Sequence, residues 1–154
     1  MELWLLAVGK LRPCYREASD DYLRRLGRRA KVQEVEVREA ARAPTRAVQQ
    51  AEEADRLRAR LPPRARVVAL ARDGSSWTSA ELAGRIGRWE TEGRPLVFLI
   101  GGSTGLDPGI VAEAECVWSL GALTLPHELA RVVVAEQLYR AGTILRGEPY
   151  HKGR

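Results

Sequence analysis

Two periodicities alternate along this 154-residue chain. Leu3 to Val8 is a short apolar run stopped by Gly9, and Val32 to Val37 alternates apolar with charged residues as a half-buried strand does. Between them Ala18, Tyr22, Leu23 and Leu26 recur at helical spacing with charge on the other side, which predicts a helix over Tyr15 to Leu26. Ala40 to Pro44 reads as a loop, Arg46 to Leu61 as a second helix halted by Pro62-Pro63, and Val67 to Ala71 as the next strand. Thr78-Ser79-Ala80-Glu81 is a capping-box signature, opening a helix that continues to about Thr91. Leu96 to Ile100 is apolar without alternation, as expected of a strand buried on both faces at the centre of a parallel sheet. Pro108 to Cys116 then predicts a short helix, Val117 to Leu120 a last strand, and Glu128 to Leu145 a long closing helix. Strict alternation of strand and helix implies an α/β fold: an open, mostly parallel sheet with helices on both faces, in a single domain spanning residues 1–154.

The closing helix is apolar over more than one face, from Leu129 and Ala130 through Val132, Val133, Val134 and Leu138 to Ile144 and Leu145. A helix on a small sheet needs a stripe of about 100° for its own core, so the excess predicts a homodimer packed through this helix. Glu136 and Arg140 stand four apart in the favourable order and read most simply as a helix-surface pair.

Composition narrows the class. With 45% hydrophobic and 29% charged residues and no low-complexity tract, the chain is globular rather than disordered or fibrous. No apolar run approaches the roughly 18 residues a bilayer span needs, and Met1 to Val8 has neither a basic leader nor a cleavage site, so a soluble cytoplasmic protein is expected. Cys14 and Cys116 match no metal spacing and no disulfide framework, and both are expected reduced and buried, with no metal site. The basic excess of five sits entirely in the first 66 residues, and 22 of the 25 cations are arginine. Guanidinium groups grip phosphate bidentately, which suits a phosphate-rich partner.

Candidate chemistry gathers in the last third. Gly101-Gly102-Ser103-Thr104-Gly105 follows the central strand directly, where open α/β sheets bind ligands, and its glycines permit close approach. It is neither a dinucleotide fingerprint nor a triphosphate loop. The string fits a nucleophile elbow around Ser103, with His127 as the one available base, but it lacks the orienting carboxylate that hydrolysis needs. Val117 to Glu128 is too apolar for an ordinary surface connector; buried, its backbone would need partners that a ligand could supply. The tail Arg146 to Arg154 combines cations with Tyr150 and His151, a composition suited to stacking on and gripping RNA. A non-catalytic RNA-binding or ribosome-assembly protein would account for the basic half and the tail, though not for the glycine loop and the apolar connector together.

Five segments in order closely resemble one family. They are Ile100-Gly101-Gly102-Ser103-Thr104-Gly105, Leu123-Thr124-Leu125-Pro126-His127, Arg131-Val132-Val133, Glu136-Gln137-Leu138-Tyr139-Arg140-Ala141 and Pro149-Tyr150-His151-Lys152. Together with Leu6 to Leu11 and Leu23-Arg24-Arg25-Leu26, they resemble the bacterial large-subunit rRNA pseudouridine N3-methyltransferases of the SPOUT superfamily. The resemblance implies a C-terminal trefoil knot, with Val117 to Pro126 threaded through a preceding loop, and a homodimer. It implies S-adenosyl-L-methionine held in a bent form by Leu70, Ala71, Gly101, Gly102, Gly121, Ala122, Leu123, Thr124, Leu125 and Pro126. Gly121 stands where family members often carry Ser, so a contact there would come from the backbone. The implied target is N3 of a pseudouridine in a hairpin of large-subunit ribosomal RNA, reached on the assembled ribosome. For such a reaction alignment dominates, and a group taking the N3 proton helps. His151 and Arg140 are the candidates, with Tyr150 stacking on or bonding to the base and His127 as a second base.

Overall fold

The computed structural model describes residues 1–151, the last as backbone only. Five strands, β1 (Glu2–Val8), β2 (Lys31–Val37), β3 (Arg66–Ser76), β4 (Leu96–Ile100) and β5 (Cys116–Ser119), alternate with five helices. The helices are α1 (Pro13–Leu26), α2 (Arg46–Arg58), α3 (Ser79–Glu90), α4 (Pro108–Glu113) and α5 (His127–Leu145), and a 3-10 turn over Pro149–His151 follows. The strands form one sheet in the order β2-β1-β4-β3-β5. Every ladder is parallel.

Both faces are covered, which is why the inner strands carry no polar side. Leu3, Leu5 and Ala7 of β1 and Leu96, Phe98 and Ile100 of β4 pack under α1, α3 and α5. Their alternating neighbours Leu6, Val8, Val97 and Leu99 pack under α2 and α4. On the edge strand β2 the same alternation puts Glu34 and Glu36 on the α1–α5 side, where Arg16 and the fully buried Arg131 meet them.

The capping box forms as its spacing predicts: Glu81 N–H donates to Thr78 Oγ1 at 3.1 Å, and Thr78 N–H to the Glu81 carboxylate at 2.7 Å. Four expectations change. β3 runs past Ala71, because Leu70 and Ser75 both stand opposite Trp118 and residues 71–74 loop out of the ladder between them. Gly74 makes that return possible: a Cβ there would lie 2.7 Å from the Val117 carbonyl. Cys116 belongs to β5 rather than to the preceding helix, which ends at Glu113 where Ala114 turns extended. Both thiols are free, yet Cys14 is exposed in the first turn of α1 and Cys116 half-buried, so neither is a core residue. Finally, α5 lies between α1 and α3, and this double contact covers Val134, Ala135, Leu138 and Ala141 within one chain. Much of its wide apolar arc is therefore used internally, and Leu129 and Leu145 stay exposed.

Candidate active site

The carboxyl ends of β4 and β5, with Leu70 to Arg72 where β3 leaves the ladder, open into one cavity of about 440 Å³. Its walls include Leu70, Ala71, Gly101, Gly102, Gly121, Leu123, Thr124 and Leu125, with His127 at the start of α5. The glycine loop and the connector before the last helix therefore face each other across a single space, although they are far apart in sequence. Ala122 and Pro126 do not line it. A volume in the range of about 300 to 1,000 Å³, with aliphatic walls and a few polar groups, suits a small organic ligand.

The glycine loop is held in one shape. A Cβ on Gly101 would lie 2.6 Å from the Gly105 carbonyl carbon, Gly105 has φ +76°, and Gly105 N–H donates to the Gly102 carbonyl at 3.1 Å. From outside, Arg46 Nη2 and Gln50 Nε2 both donate to the Thr104 carbonyl, at 3.0 and 2.6 Å. Ser103 Oγ donates to Glu39 at 2.9 Å. That hydroxyl is thus bonded to a carboxylate and makes no hydrogen bond to His127, which removes the geometric basis of a serine hydrolase. Thr104 Oγ1 is buried without a partner beside the cavity.

The connector is not the buried loop its composition suggests. Ala122, Leu123, Thr124 and Pro126 are exposed, Leu123 at 79%. Within one chain no layer covers the outer side of this segment, while Gly121, Leu123, Thr124 and Leu125 line the cavity on its inner side. Gly121 (φ +124°) turns the chain, and its N–H donates to Ser119 Oγ at 3.2 Å.

The remaining candidates lie elsewhere. Arg140 is thirteen residues along α5 from His127, about 20 Å at 1.5 Å per residue. There Glu136 Oε1 accepts from Arg140 Nε at 2.9 Å and from the Tyr150 hydroxyl at 3.1 Å, while Arg140 stacks over the Tyr150 ring at 4.9 Å. Tyr139 packs on Tyr150 with centroids 4.8 Å apart. Burial, then bonds to Tyr22 and Glu136, pushes the Tyr150 phenol well above its ordinary value, so it stays protonated and acts as a donor. His151 ends the turn as backbone, and Lys152 lies outside the described residues. Within one chain, then, His127 meets the cavity while Arg140 and Tyr150 form a separate cluster.

Sequence reading missed Arg46, Gln50 and Glu39 as supports of the glycine loop, and Arg131 as a buried cation. Arg46 and Gln50 share a helix face, but nothing local says that this face meets the loop. Glu34 and Glu36 on the inner side of β2 did carry a signal, since two carboxylates facing a covering layer require a cation from it. Among the described residues no three His, Cys, Asp or Glu side chains converge to hold a metal ion, and no helix is long and apolar enough to cross a membrane.

Comparison with known proteins agrees with this architecture. The family model described as "Predicted SPOUT methyltransferase" matches residues 1–151. A ribosomal RNA large subunit methyltransferase H from Anaeromyxobacter sp. (strain Fw109-5) is 48% identical over 153 residues, covering 99% of this chain and all of that protein. A protein of the same name from Chromohalobacter salexigens is 43% identical over 155 residues, with the same coverage. The crystal structure of a "Probable Methyltransferase" from Bordetella pertussis Tohama I, 16% identical, superposes with a TM-score of 0.54 over 91% of this chain and 95% of its own, a likeness of fold. A five-stranded parallel sheet with a cavity at its carboxyl edge, a family model spanning nearly the whole chain and full-length relatives above 40% identity together make this protein a member of the SPOUT methyltransferase family.

Proposed function

We propose that the protein transfers the methyl group of S-adenosyl-L-methionine to N3 of a pseudouridine in large-subunit ribosomal RNA, acting in the cytoplasm as a homodimer on the assembled ribosome. The observation that carries this reading is the single cavity shared by the glycine loop and the residue 118–125 connector. The full-length relatives named for large-subunit ribosomal RNA methylation support the substrate class.

The cavity fits the donor. The fixed glycine loop leaves room for a flat ring and backbone groups close to it, and the unpartnered Thr104 hydroxyl is a polar atom without an internal partner at that wall. Leu70, Ala71, Gly101, Gly102 and residues 121–126 would hold it, Ala122 and Pro126 by shaping the connector rather than by touching. When bound, the donor supplies a methyl group already electrophilic at sulfur, so the residues around it need to align it with the acceptor nitrogen and receive one proton. His127 stands at the cavity as one acceptor of that proton, and His151 is the second. Arg140 Nε and Nη2 both donate to Glu136 Oε1, and the guanidinium lies over the Tyr150 ring. Tyr150, held as a phenol, is suited to bonding or stacking on the target base.

The distance of about 20 Å along α5 separates these two groups in one chain, so a second copy packed through α5 is the economical way to unite them. Exposed Leu129 and Leu145 on that helix and exposed Leu123 on the connector are apolar surface for such packing. The chain is read as one domain over residues 1–154, with the 117–126 segment threaded as a trefoil knot.

Two measurements test the reading. Calorimetry is expected to give one donor site per chain, and mass spectrometry is expected to find the large-subunit pseudouridine without its N3 methyl in cells lacking the gene. Absence of donor binding would favour an RNA-binding protein without catalysis.

A further inference from the structure

We propose that the sheet's carboxyl edge beyond the cavity is a phosphate track, in which Lys10, Arg38 and Arg42 hold the backbone of the RNA strand whose base enters the site. The proposal rests on the RNA methyltransferase reading and adds the surface that would dock the substrate.

Three placements bring these cations together. Lys10 follows β1 and Arg38 follows β2, and Gly9 N–H donates to the Val37 carbonyl at 2.8 Å, so the two leave neighbouring strands side by side. Arg42 projects from the loop between β2 and α2, which is anchored at its base: Ala40 N–H donates to the carboxylate of buried Glu53 at 2.9 Å. The same loop touches the glycine loop through Glu39 and Ser103. Four residues beyond Arg42, Arg46 at the start of α2 lines the cavity itself, and Arg72 lines it from β3. The loop that carries Arg38 and Arg42 thus abuts the glycine loop of the site.

These cations have no internal use. Lys10, Arg38 and Arg42 are exposed, and among the described residues none makes an ion pair. At the opposite, amino edge the arginines serve the fold: Arg66 pairs with Glu92 and Glu115, Arg94 with Glu115, and Arg58 with Glu113. Of the carboxylates in this region, Glu128 is paired with Arg12, while Glu39 accepts from Ser103 and keeps its charge, so the track holds three cations against one acid. A row of cations without acidic partners beside a ligand cavity matches a polyanion, and phosphate contacts of this kind position a strand without reading its sequence.

The test uses the full-length protein and ribosomes from cells lacking the gene. The triple variant Lys10→Gln, Arg38→Gln, Arg42→Gln is expected to raise KM for the ribosome about tenfold or more and to lower the salt slope of binding by about 2, with kcat within about twofold. Donor affinity and melting temperature are expected to match the parent. The pair Arg60→Gln, Arg64→Gln, removing unpaired cations at the amino edge, is expected to leave KM unchanged. A photo-crosslinker at position 42 is expected to label RNA and needs no turnover. An unchanged KM and salt slope in the triple variant, an equal effect of the amino-edge pair, or crosslinking to ribosomal protein alone would overturn the track. A parent enzyme inactive on ribosomes would instead overturn the methyltransferase reading, and the crosslink would still decide the track.

Discussion

Arg131 is 1% exposed, and its guanidinium donates to the Gly9 carbonyl at 3.0 Å, to Glu34 at 2.9 Å and to Glu36 at 2.7 Å. Arg16 meets the same two carboxylates from α1. Removing one member of a buried ion group leaves charge without compensation, at about 3 to 5 kcal/mol. Arg131→Met is therefore expected to lose about 3 kcal/mol in denaturant unfolding, and adding Glu34→Gln and Glu36→Gln to recover part of it. A second residue-scale prediction concerns acid. Backbone and side-chain bonds from Arg12 hold the Glu128 carboxyl below its ordinary value. That contribution is present above the ordinary carboxylate value and is lost as pH falls through the lower folded one. Glu128→Gln is expected to lower the melting temperature at neutral pH and to flatten its decline as pH falls below the ordinary carboxylate range, read by calorimetry. Charge pairing of this kind was half legible: the period-2 pattern placed Glu34 and Glu36 on one face, but the cation comes from about a hundred residues away.

At the scale of elements, the glycine loop is the piece whose shape matters most. Because a Cβ on Gly101 would collide with backbone rather than with a flexible side chain, Gly101→Ala is expected to open the loop. The expected result is a loss of about tenfold or more in affinity for S-adenosyl-L-methionine by calorimetry, together with a lower melting temperature, since Gly101 is buried and the clash is with backbone. Strand and helix positions were legible because burial on one or two faces writes its period directly into the sequence, as in Leu96 to Ile100. The excursion at residues 71–74 was not, since Arg72-Asp73-Gly74 locally reads as the end of a strand and only pairing with Trp118 returns the chain to the ladder. The exposed connector misled for a related reason. Apolar composition measures a need for cover, and does not say which molecule provides it.

For the whole molecule, the candidate site was legible as a set of residues but not as an arrangement. Motif order brought His127, Arg140, Tyr150 and His151 into one list, whereas the long straight course of α5 keeps the first about 20 Å from the second. If a partner closes that gap, Leu129→Arg is expected to yield a folded monomer by ultracentrifugation with methylation lost. Mixing His127→Ala with Arg140→Ala protomers is then expected to restore activity that neither homodimer has, because the mixed dimer keeps one intact pair. The strand order β2-β1-β4-β3-β5 was beyond sequence reading altogether, as it is set by which helix lands on which face.

The place of α5 also bears on how the chain is made. Helix α5 is translated after α1 to α4, and it is the one that packs between α1 and α3 and neutralises Glu34 and Glu36 near the start. Until it leaves the exit tunnel, the space between α1 and α3 on that side of the sheet is uncovered, and Glu34 and Glu36 there have Arg16 but not Arg131. Contacts of such wide sequence separation slow the acquisition of the native state. A premature stop anywhere within residues 127–145 would release not a shortened enzyme but a sticky, unfinished one for chaperones and proteases to clear.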